Sequence, residues 1–492
     1  MEQDYIKLIF GLKLKQIRTD RDLSLFGLSK LSGLSKSYLN EIEKGKKYPK
    51  PDKIAILSEK LDIPFDQMVS LKLDKNLAPI GELLQSKILK EIPLELFGIK
   101  ESDLIDIVSN APAKVNAFIS TIIEIAQHYN FSKESFFLAS VRSFQEANNN
   151  YFEELEEAVT SFVKAYQVDE NMVLSSKVLE EILVEEYGYT IDDKELMRYS
   201  ELDNLRSVLT PKSKTLLLAE SIDEPQRTFI YAKEIAYNYL KISDRLFTFP
   251  WIKFNSFDQV LNNFYASYFA GSLIIPKSSL ALQLTDIFEK ESFKEKLFLN
   301  LMHSYNASPE SFYQRLTNIL PKDFNIRNLF FLRFTHREGS DRFHLKKELH
   351  LSHHHSPRAN QSNEHYCRRW VSLKVLEDIQ QNGKTHQFDL QISNYADDKT
   401  QYLVLSSATA DPFREKQYRS ISVGLLINRQ LKRKIQFLDD KKIKRRDVGV
   451  TCERCSIMDC KERMAAAISL VRETKDLKIA QVVDELSEKF DA

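Results

Sequence analysis

The chain predicts a mainly α protein whose carboxy-terminal parts are α+β. Three observations lead there. Residues 11–69 hold two short amphipathic stretches joined by a glycine turn, and residues 75–165 carry helical periodicity almost without a break. Beyond residue 328 the text changes to strand-like runs, NLFFLRF, HQFDLQI, TQYLVLSS and SISVGLLI. Only 12 glycines and 14 prolines occur in 492 residues, which favours long helices over flexible linkers. A chain of this length exceeds one hydrophobic core, and its text divides at 5–72, 73–167, 168–327 and 328–492.

In the first segment the stretches Ser24–Leu31 and Lys36–Lys44 flank Ser32-Gly33-Leu34. A three-residue turn with glycine sets two helices at a steep angle, so that the second can enter a major groove. Ser35 suits an N-cap, and Gly45 stands just past the end of the second helix. Leu39 and Ile42, three apart, face a core with Leu28, Leu31, Leu14 and Ile17. Lys36, Ser37 and Asn40 are left on the outward face, where base edges of double-stranded DNA are read. Ser35, Tyr38, Lys44, Lys46 and Lys47 complete the expected DNA-binding set. Between Gly11 and Lys50 ten Lys/Arg face four Asp/Glu, a balance that suits a phosphate backbone.

Further on, residues 73–167 read as an α-helical connector suited to dimer contacts, with stretches at Ile80–Leu89, Ala113–Tyr129 and Phe136–Tyr166. Residues 168–327 mix helices with short strand candidates such as Thr215–Ala219. The last part combines the strand-like runs, a basic stretch over 430–446, a cysteine cluster and a final helix from about Cys460 to Phe490.

Composition sets limits. Hydrophobic and charged contents of 43% and 28% are those of a globular protein. Net charge is zero, so any nucleic-acid contact is local to the basic amino-terminal module. No run approaches 18 apolar residues and MEQDYIKLIF lacks a long apolar core, so neither a membrane partner nor a signal peptide is expected, and the protein is expected in the cytoplasm.

Three of the four cysteines fall within nine residues, Cys452-x-x-Cys455-x-x-x-x-Cys460; the fourth is Cys367. Thiolates at this spacing can wrap a soft metal centre, with short loops aiming backbone N–H groups at sulfur. Structural zinc more often shows two close pairs. An iron–sulfur cluster, a zinc ion and plain reactive or structural thiols all remain open on spacing alone. Arg454, Lys461 and Arg463 would offset the charge of a four-thiolate cluster. His344, His350 and His353–His355 read as a solvated loop, and Lys441–Arg446 as an exposed basic face. Arg142, Tyr151 and Phe152 offer a charge and two rings, the elements of an acyl-CoA clamp, and equally those of ordinary helix packing.

Several of these segments resemble known families. Gly11-x-x-Leu14-x-x-x-Arg18, Leu28, Ser32-Gly33-Leu34-Ser35-x-Ser37-Tyr38-Leu39, Ile42-Glu43-x-Gly45, Pro49 and Leu57-x-x-x-Leu61 resemble the Xre-type helix-turn-helix family, a five-helix domain. That resemblance implies an Arg18–Glu43 salt bridge between first and third helices. QRTFIYAKEIAYNYL (226–240) and LNNFYASYFAGSLIIP (261–276) resemble the core of ImmA/IrrE-type zinc peptidases, a zincin-like α+β domain. There, the two zinc-binding histidine positions fall on Lys233 and Tyr237, the carboxylate ligand on Tyr265, and only Glu234 remains, so the metal site is lost and no enzyme is expected.

RSFQEANNNYFEELE (142–156), SPESFYQRLTNILP, LFFLRF, Cys367-x-x-Trp370 and GVTCERCSIMDCKERMA resemble the short-chain fatty acyl transcriptional regulators. This likeness covers nearly the whole length. It implies a 4Fe–4S cluster held by Cys367, Cys452, Cys455 and Cys460 in a carboxy-terminal cysteine domain. It also implies an acyl-CoA effector and regulation of propionate- or acetate-type metabolism by a homodimer. The competing expectations are a zinc metallopeptidase fused to an Xre module and a purely redox-sensing regulator.

Overall fold

A computed structural model describes residues 2–70, 133–169, 172–250, 253–351, 364–397 and 399–490. Two compact units, Met1–Ser140 and Val141–Ala492, are distinguished. The connector stretches Ile80–Leu89 and Ala113–Tyr129, and His353–His355, lie outside the described residues.

In the first unit α1 (Glu2–Asp20), α2 (Leu25–Ser32), α3 (Lys36–Glu43), α4 (Pro51–Lys60) and α5 (Phe65–Val69) follow one another. The caps are local chemistry. Ser24 Oγ accepts from Gly27 N at 3.0 Å, and Ser35 Oγ from Tyr38 N at 3.2 Å. Gly33 turns the chain in the left-handed region, φ 70°. Leu14, Leu28, Leu39, Ile42 and Leu57 are fully buried in one core, each such side chain being worth about 1.5–3 kcal/mol. Ile17 packs at its margin. Leu31, expected inside, is 44% exposed. The inward line of α2 runs Leu28–Ser32, where Ser32 Oγ donates to Leu28 O at 2.7 Å, and the turn brings Leu34 into the core. Lys13 Nζ closes α1 onto the end of α5, donating to Gln67 O at 2.9 Å.

α6 (Lys133–Ala147) and α7 (Glu153–Ala165) replace the single helix expected over Phe136–Tyr166. Asn149 and Asn150, at φ 50° and 51°, break it. The Asn150 side chain then bridges to Thr317 Oγ1 at 2.7 Å and receives Gln145 Nε2 at 2.9 Å. After α8 (Ser176–Glu185), β1 (Thr190–Asp192), β2 (Ser207–Thr210), β3 (Thr215–Leu218) and β4 (Thr248–Phe249) form a sheet of order β1-β3-β2-β4. α9 (Glu224–Tyr239) lies between β3 and β4 in sequence, and α10 (Phe257–Ile274), α11 (Lys277–Phe288), α12 (Glu295–His303) and α13 (Pro309–Asp323) follow.

A six-stranded sheet comes next: β5 (Leu329–Arg337), β6 (Phe343–His350), β7 (His386–Tyr395), β8 (Gln401–Ala410), β9 (Gln417–Leu426) and β10 (Lys444–Val448), in the order β10-β7-β8-β9-β5-β6. α14 (Val371–Asn382), α15 (Arg429–Lys434) and α16 (Ile468–Phe490) complete the chain. β5 shows why this sheet is covered on both sides. Leu329 and Phe331 enter the core shared with α13, whereas Phe330, Leu332 and Phe334 enter a second core under α14. The first core runs from Val159 to Ile443 and so continues across the 327/328 division drawn from the sequence. At its centre Arg315, 1% exposed, grips Glu156 through Nη1–Oε1 at 2.5 Å and Nη2–Oε2 at 2.9 Å. α16 begins at Ile468 and not near Cys460, because residues 460–467 wrap the cysteine loop.

Candidate functional site

The helix-turn-helix presents its reading face as the caps and core dictate. Leu39 and Ile42 anchor α3, leaving Lys36, Ser37, Asn40, Lys44, Lys46 and Lys47 exposed. Ser35 Oγ is spent on its cap. The Tyr38 ring lies beneath Lys47 Nζ, which stands 5.2 Å from its centroid. Lys47 also stands 3.6 Å from Glu41. Arg18 meets Glu43 in two parallel contacts, Nε–Oε1 2.7 Å and Nη2–Oε2 3.0 Å, and donates to Leu23 O at 2.7 Å. This fork ties α1, the α1–α2 turn and α3 into one body. Gly11 brings α1 against α3: a Cβ there would stand 2.2 Å from Ile42 O.

The cysteines meet through backbone pairing that the sequence did not reveal. Cys367 N donates to Val450 O at 3.1 Å and Cys452 N to His365 O at 2.8 Å, around the bridge Tyr366–Thr451. These bonds clip Cys367 beside the distant triple. Cys367, Cys452 and Cys455 are buried, and Cys460 is half-buried. Gly449 makes room for Cys455, since a Cβ there would lie 2.6 Å from its Sγ. Trp370 Nε1 holds Gly449 O at 2.9 Å.

Amides point at sulfur: Gly449 and Arg369 N–H at Cys367, Ile457 N–H at Cys455, and Met464 N at Cys452 Sγ, 3.4 Å away. Burial pushes the Cys367 thiol up to about 11, with neighbouring Cys455 and Cys452 adding to it and the two amides opposing. Burial raises Cys455 as well, and Cys460 adds to that while Arg463 opposes. All four thiols therefore share one neighbourhood.

Arg463 sits under the loop, donating from Nη1 to Cys452 O at 2.5 Å and from Nη2 to Ile457 O at 2.6 Å and Cys455 O at 3.1 Å. Arg454, expected as a counter-charge, instead pairs with Glu364, Nε–Oε1 2.9 Å. His365 Nδ1 and Glu453 Oε1 brace the same loop at 2.7 Å. Among the described residues no three His, Cys, Asp or Glu side chains are set to hold a metal ion as they stand. The donor set still fits a soft thiolate-bound group: it is sulfur only, shielded from water, and supplied with N–H groups. The raised pKa values of Cys367 and Cys455 mean that ligation through these two would release protons.

On α9 the positions compared with zinc ligands are filled by other bonds. Lys233 is buried, Nζ donating to Asn263 Oδ1 at 2.6 Å, and burial pulls its pKa down to about 7. Glu234 is held by Arg245 Nη2 at 2.5 Å and by Tyr189 OH at 3.1 Å. The Arg245 guanidinium stacks 3.7 Å from the centre of the Tyr237 ring. Asn263, not Tyr265, is the α10 residue opposite Lys233 and Tyr237. Tyr265 turns to another face, beside Phe264 and Phe144. Two residues on a helix differ by about 200°, which explains the displacement.

Arg142, Tyr151 and Phe152 are each engaged separately and form no shared clamp. Arg142 Nη1 pairs with Glu348 Oε1 at 3.1 Å, Tyr151 OH accepts from Lys277 Nζ at 3.0 Å, and Phe152 packs among Phe144, Phe264 and Tyr268. In the basic stretch Lys444 pairs with Asp389 at 2.7 Å and Arg446 with Glu462 at 3.8 Å. His350 faces Glu348 at 3.4 Å, in β6 and not in a loop.

A family model for helix-turn-helix domains matches residues 14–68. No curated protein sequence matches the chain. Among solved structures, a Mycobacterium tuberculosis transcriptional regulator is similar over 67% of this chain and 93% of its own, at 17% identity and a TM-score of 0.49. The matched segment, with its capped and cross-braced geometry, is a helix-turn-helix domain, the class of fold that binds DNA through its second motif helix. Among the described residues no helix is long and apolar enough to cross a membrane.

Proposed function

We propose that this chain is a cytoplasmic regulator of short-chain fatty acid metabolism that binds operator DNA as a homodimer and answers to an acyl-CoA. In this reading Cys367, Cys452, Cys455 and Cys460 hold a 4Fe–4S cluster. The observation that carries the DNA-binding role is the reading face of α3, exposed on one side and locked into a core on the other. The thiol neighbourhood supports the cluster. When bound, such a group would supply one-electron redox chemistry and a cross-link between residues 365–367 and 449–460. The chain's own part is to exclude water, aim amide N–H groups at sulfur and latch the loop through Arg463.

The reading assigns no peptidase activity, because the Lys233 side chain, bonded to Asn263, and the Glu234–Arg245 pair stand where a divalent cation and its water would be needed. α16 supports pairing with a second copy. Ile479, Val482, Val483 and Leu486 form an exposed apolar stripe at i, i+3, i+4 and i+7, the spacing of a helix face that packs against another helix. Signalling follows if the acyl-CoA binds one DNA-competent conformation more tightly than the other.

Two measurements test this. Asn40→Ala is expected to cost about 1–3 kcal/mol against the preferred operator and to relax base preference, whereas Lys36→Ala lowers affinity for all sequences and reduces the salt slope by about 1. Operator retardation across a salt series reads both, and wild-type behaviour in both variants sinks the assignment of α3. Anaerobically purified protein is expected to carry iron and labile sulfide, lost in Cys367→Ser. Stoichiometric zinc without sulfide, or colourless metal-free protein, overturns the cluster.

A further inference from the structure

An excess of cations gathers where the six-stranded sheet meets the small sheet. Arg333 of β5 lies directly across from Lys347 of β6, and Arg419 of β9 is paired with Thr335, two residues along β5 from Arg333. The two-residue repeat puts the three side chains on one face of the sheet. Glu310, in the first turn of α13, accepts both contacts from Arg333 Nη1 at 3.0 Å and stands 4.0 Å from Lys347 Nζ. Arg206, ahead of β2, joins from the other side, its guanidinium 5.2 Å from the Phe249 ring centre and 5.1 Å from that of Phe413.

The charges sense one another. Burial lowers the Arg206 pKa and Arg419 lowers it further, against Glu310 and Asp411. Burial acts to raise Glu310, yet Arg333, Lys347 and Arg419 together hold it down to about 2. Four cations thus face two carboxylates.

Like charges are not assembled this way for stability, since each adds repulsion that the two carboxylates only partly cancel. Lys347 keeps 49% of its side chain accessible and Arg333 31%, so solvent reaches the cluster. Arg333 Nε is buried there with no hydrogen-bond partner, an unused donor in a site already rich in them. The half-buried Phe413 places an aromatic face beside the cluster.

We propose that this cluster of Arg206, Arg333, Lys347 and Arg419, with Phe413 beside it, binds the phosphates of a nucleotide-class ligand. The inference goes beyond the acyl-CoA reading, because a free nucleotide and the nucleotide end of coenzyme A present the same phosphate and aromatic chemistry. Arginine forks and a lysine point charge suit a diphosphate, and a planar base suits the Phe413 ring.

Calorimetric titration of the full chain with inorganic pyrophosphate, ADP and coenzyme A tests it. ADP is expected to bind, about tenfold or more weakly in Lys347→Gln and in Arg419→Gln, since each removes one charge-assisted contact. Lys432→Gln, on exposed α15, leaves binding unchanged. Phe413→Ala weakens ADP and spares pyrophosphate. Glu310→Gln removes the competing carboxylate and tightens binding, a gain that misfolding cannot produce. If ADP and coenzyme A bind alike, both sources share the cluster; if ADP binds and coenzyme A does not, the inference stands and the acyl-CoA reading falls. The inference is overturned if no probe binds at millimolar concentration. It is equally overturned if coenzyme A or ADP binds the Lys347 and Arg419 variants as it binds wild type, an outcome that leaves the acyl-CoA reading in place.

Discussion

Replacing Arg315 with alanine is expected to cost the carboxy-terminal unit about 3–5 kcal/mol, because it strands a carboxylate in an interior built around the pair. Glu156 also accepts from Tyr268 OH at 2.8 Å and Ser272 Oγ at 3.2 Å, while Arg315 Nε donates to Ile275 O at 3.0 Å. The change therefore loosens α7, α10 and α13 together. Burial acts to raise the Glu156 pKa, but Arg315 and the hydroxyls hold it below the usual carboxylate value. A lowered folded pKa contributes stability above the unfolded value of about 4.3, which is lost as pH falls through the folded one. In the alanine variant Glu156 lacks its counter-charge and its pKa moves up. The stability gap between the two proteins should narrow in acid, as read by urea unfolding at pH 7 and pH 4. An equal gap at both pH values would show that the pair contributes only packing. Arg315→Met with Glu156→Leu should recover much of the loss, because no buried charge is left unpaired.

Gly11→Ala is expected to abolish operator binding without touching one DNA-facing side chain. The added methyl collides with Ile42 O, and Glu43 O stands 3.0 Å away, so α1 must move off α3. Overpacking of this kind costs about 1–3 kcal/mol, more where backbone is struck, and here it also displaces the Arg18–Glu43 fork. Gly27→Ala is the matched control. Its new Cβ meets nothing closer than Ser24 Oγ at 3.4 Å, and alanine favours a helix by about 1 kcal/mol. Retardation of operator DNA and a thermal melt should separate the two, Gly11→Ala losing both and Gly27→Ala keeping both. Normal binding by Gly11→Ala would mean that α1 and α3 are not held at this distance.

The DNA-binding face was legible because its determinants are close in sequence. Ser24 and Ser35 cap within three residues, Gly33 turns the chain, and Leu39 and Ile42 mark the inward side of α3. Leu31 lies outside the core because i+3 and i+4 both fit one helix face, and from Leu28 the inward line passes to Ser32. The helix break at Asn149 and Asn150 is masked in the sequence because helical periodicity continues on both sides of them. The close spacing of Cys452, Cys455 and Cys460 is legible in the sequence, whereas the partner of Arg454 is Glu364, 90 residues away.

What the amino-acid order determined alone is the helix-turn-helix with its caps, the strand-rich tail and the density of thiols near residue 455. Each depends on interactions that span a few residues and repeat with the period of the local backbone. Only tertiary structure decided that Cys367 joins the triple, that Asn263 answers Lys233, that Arg315 holds Glu156, and that cations from β5, β6, β9 and the chain before β2 share one cluster. Those pairings are fixed by sheet register and by the desolvation that core packing imposes. Neither quantity belongs to any single stretch of chain.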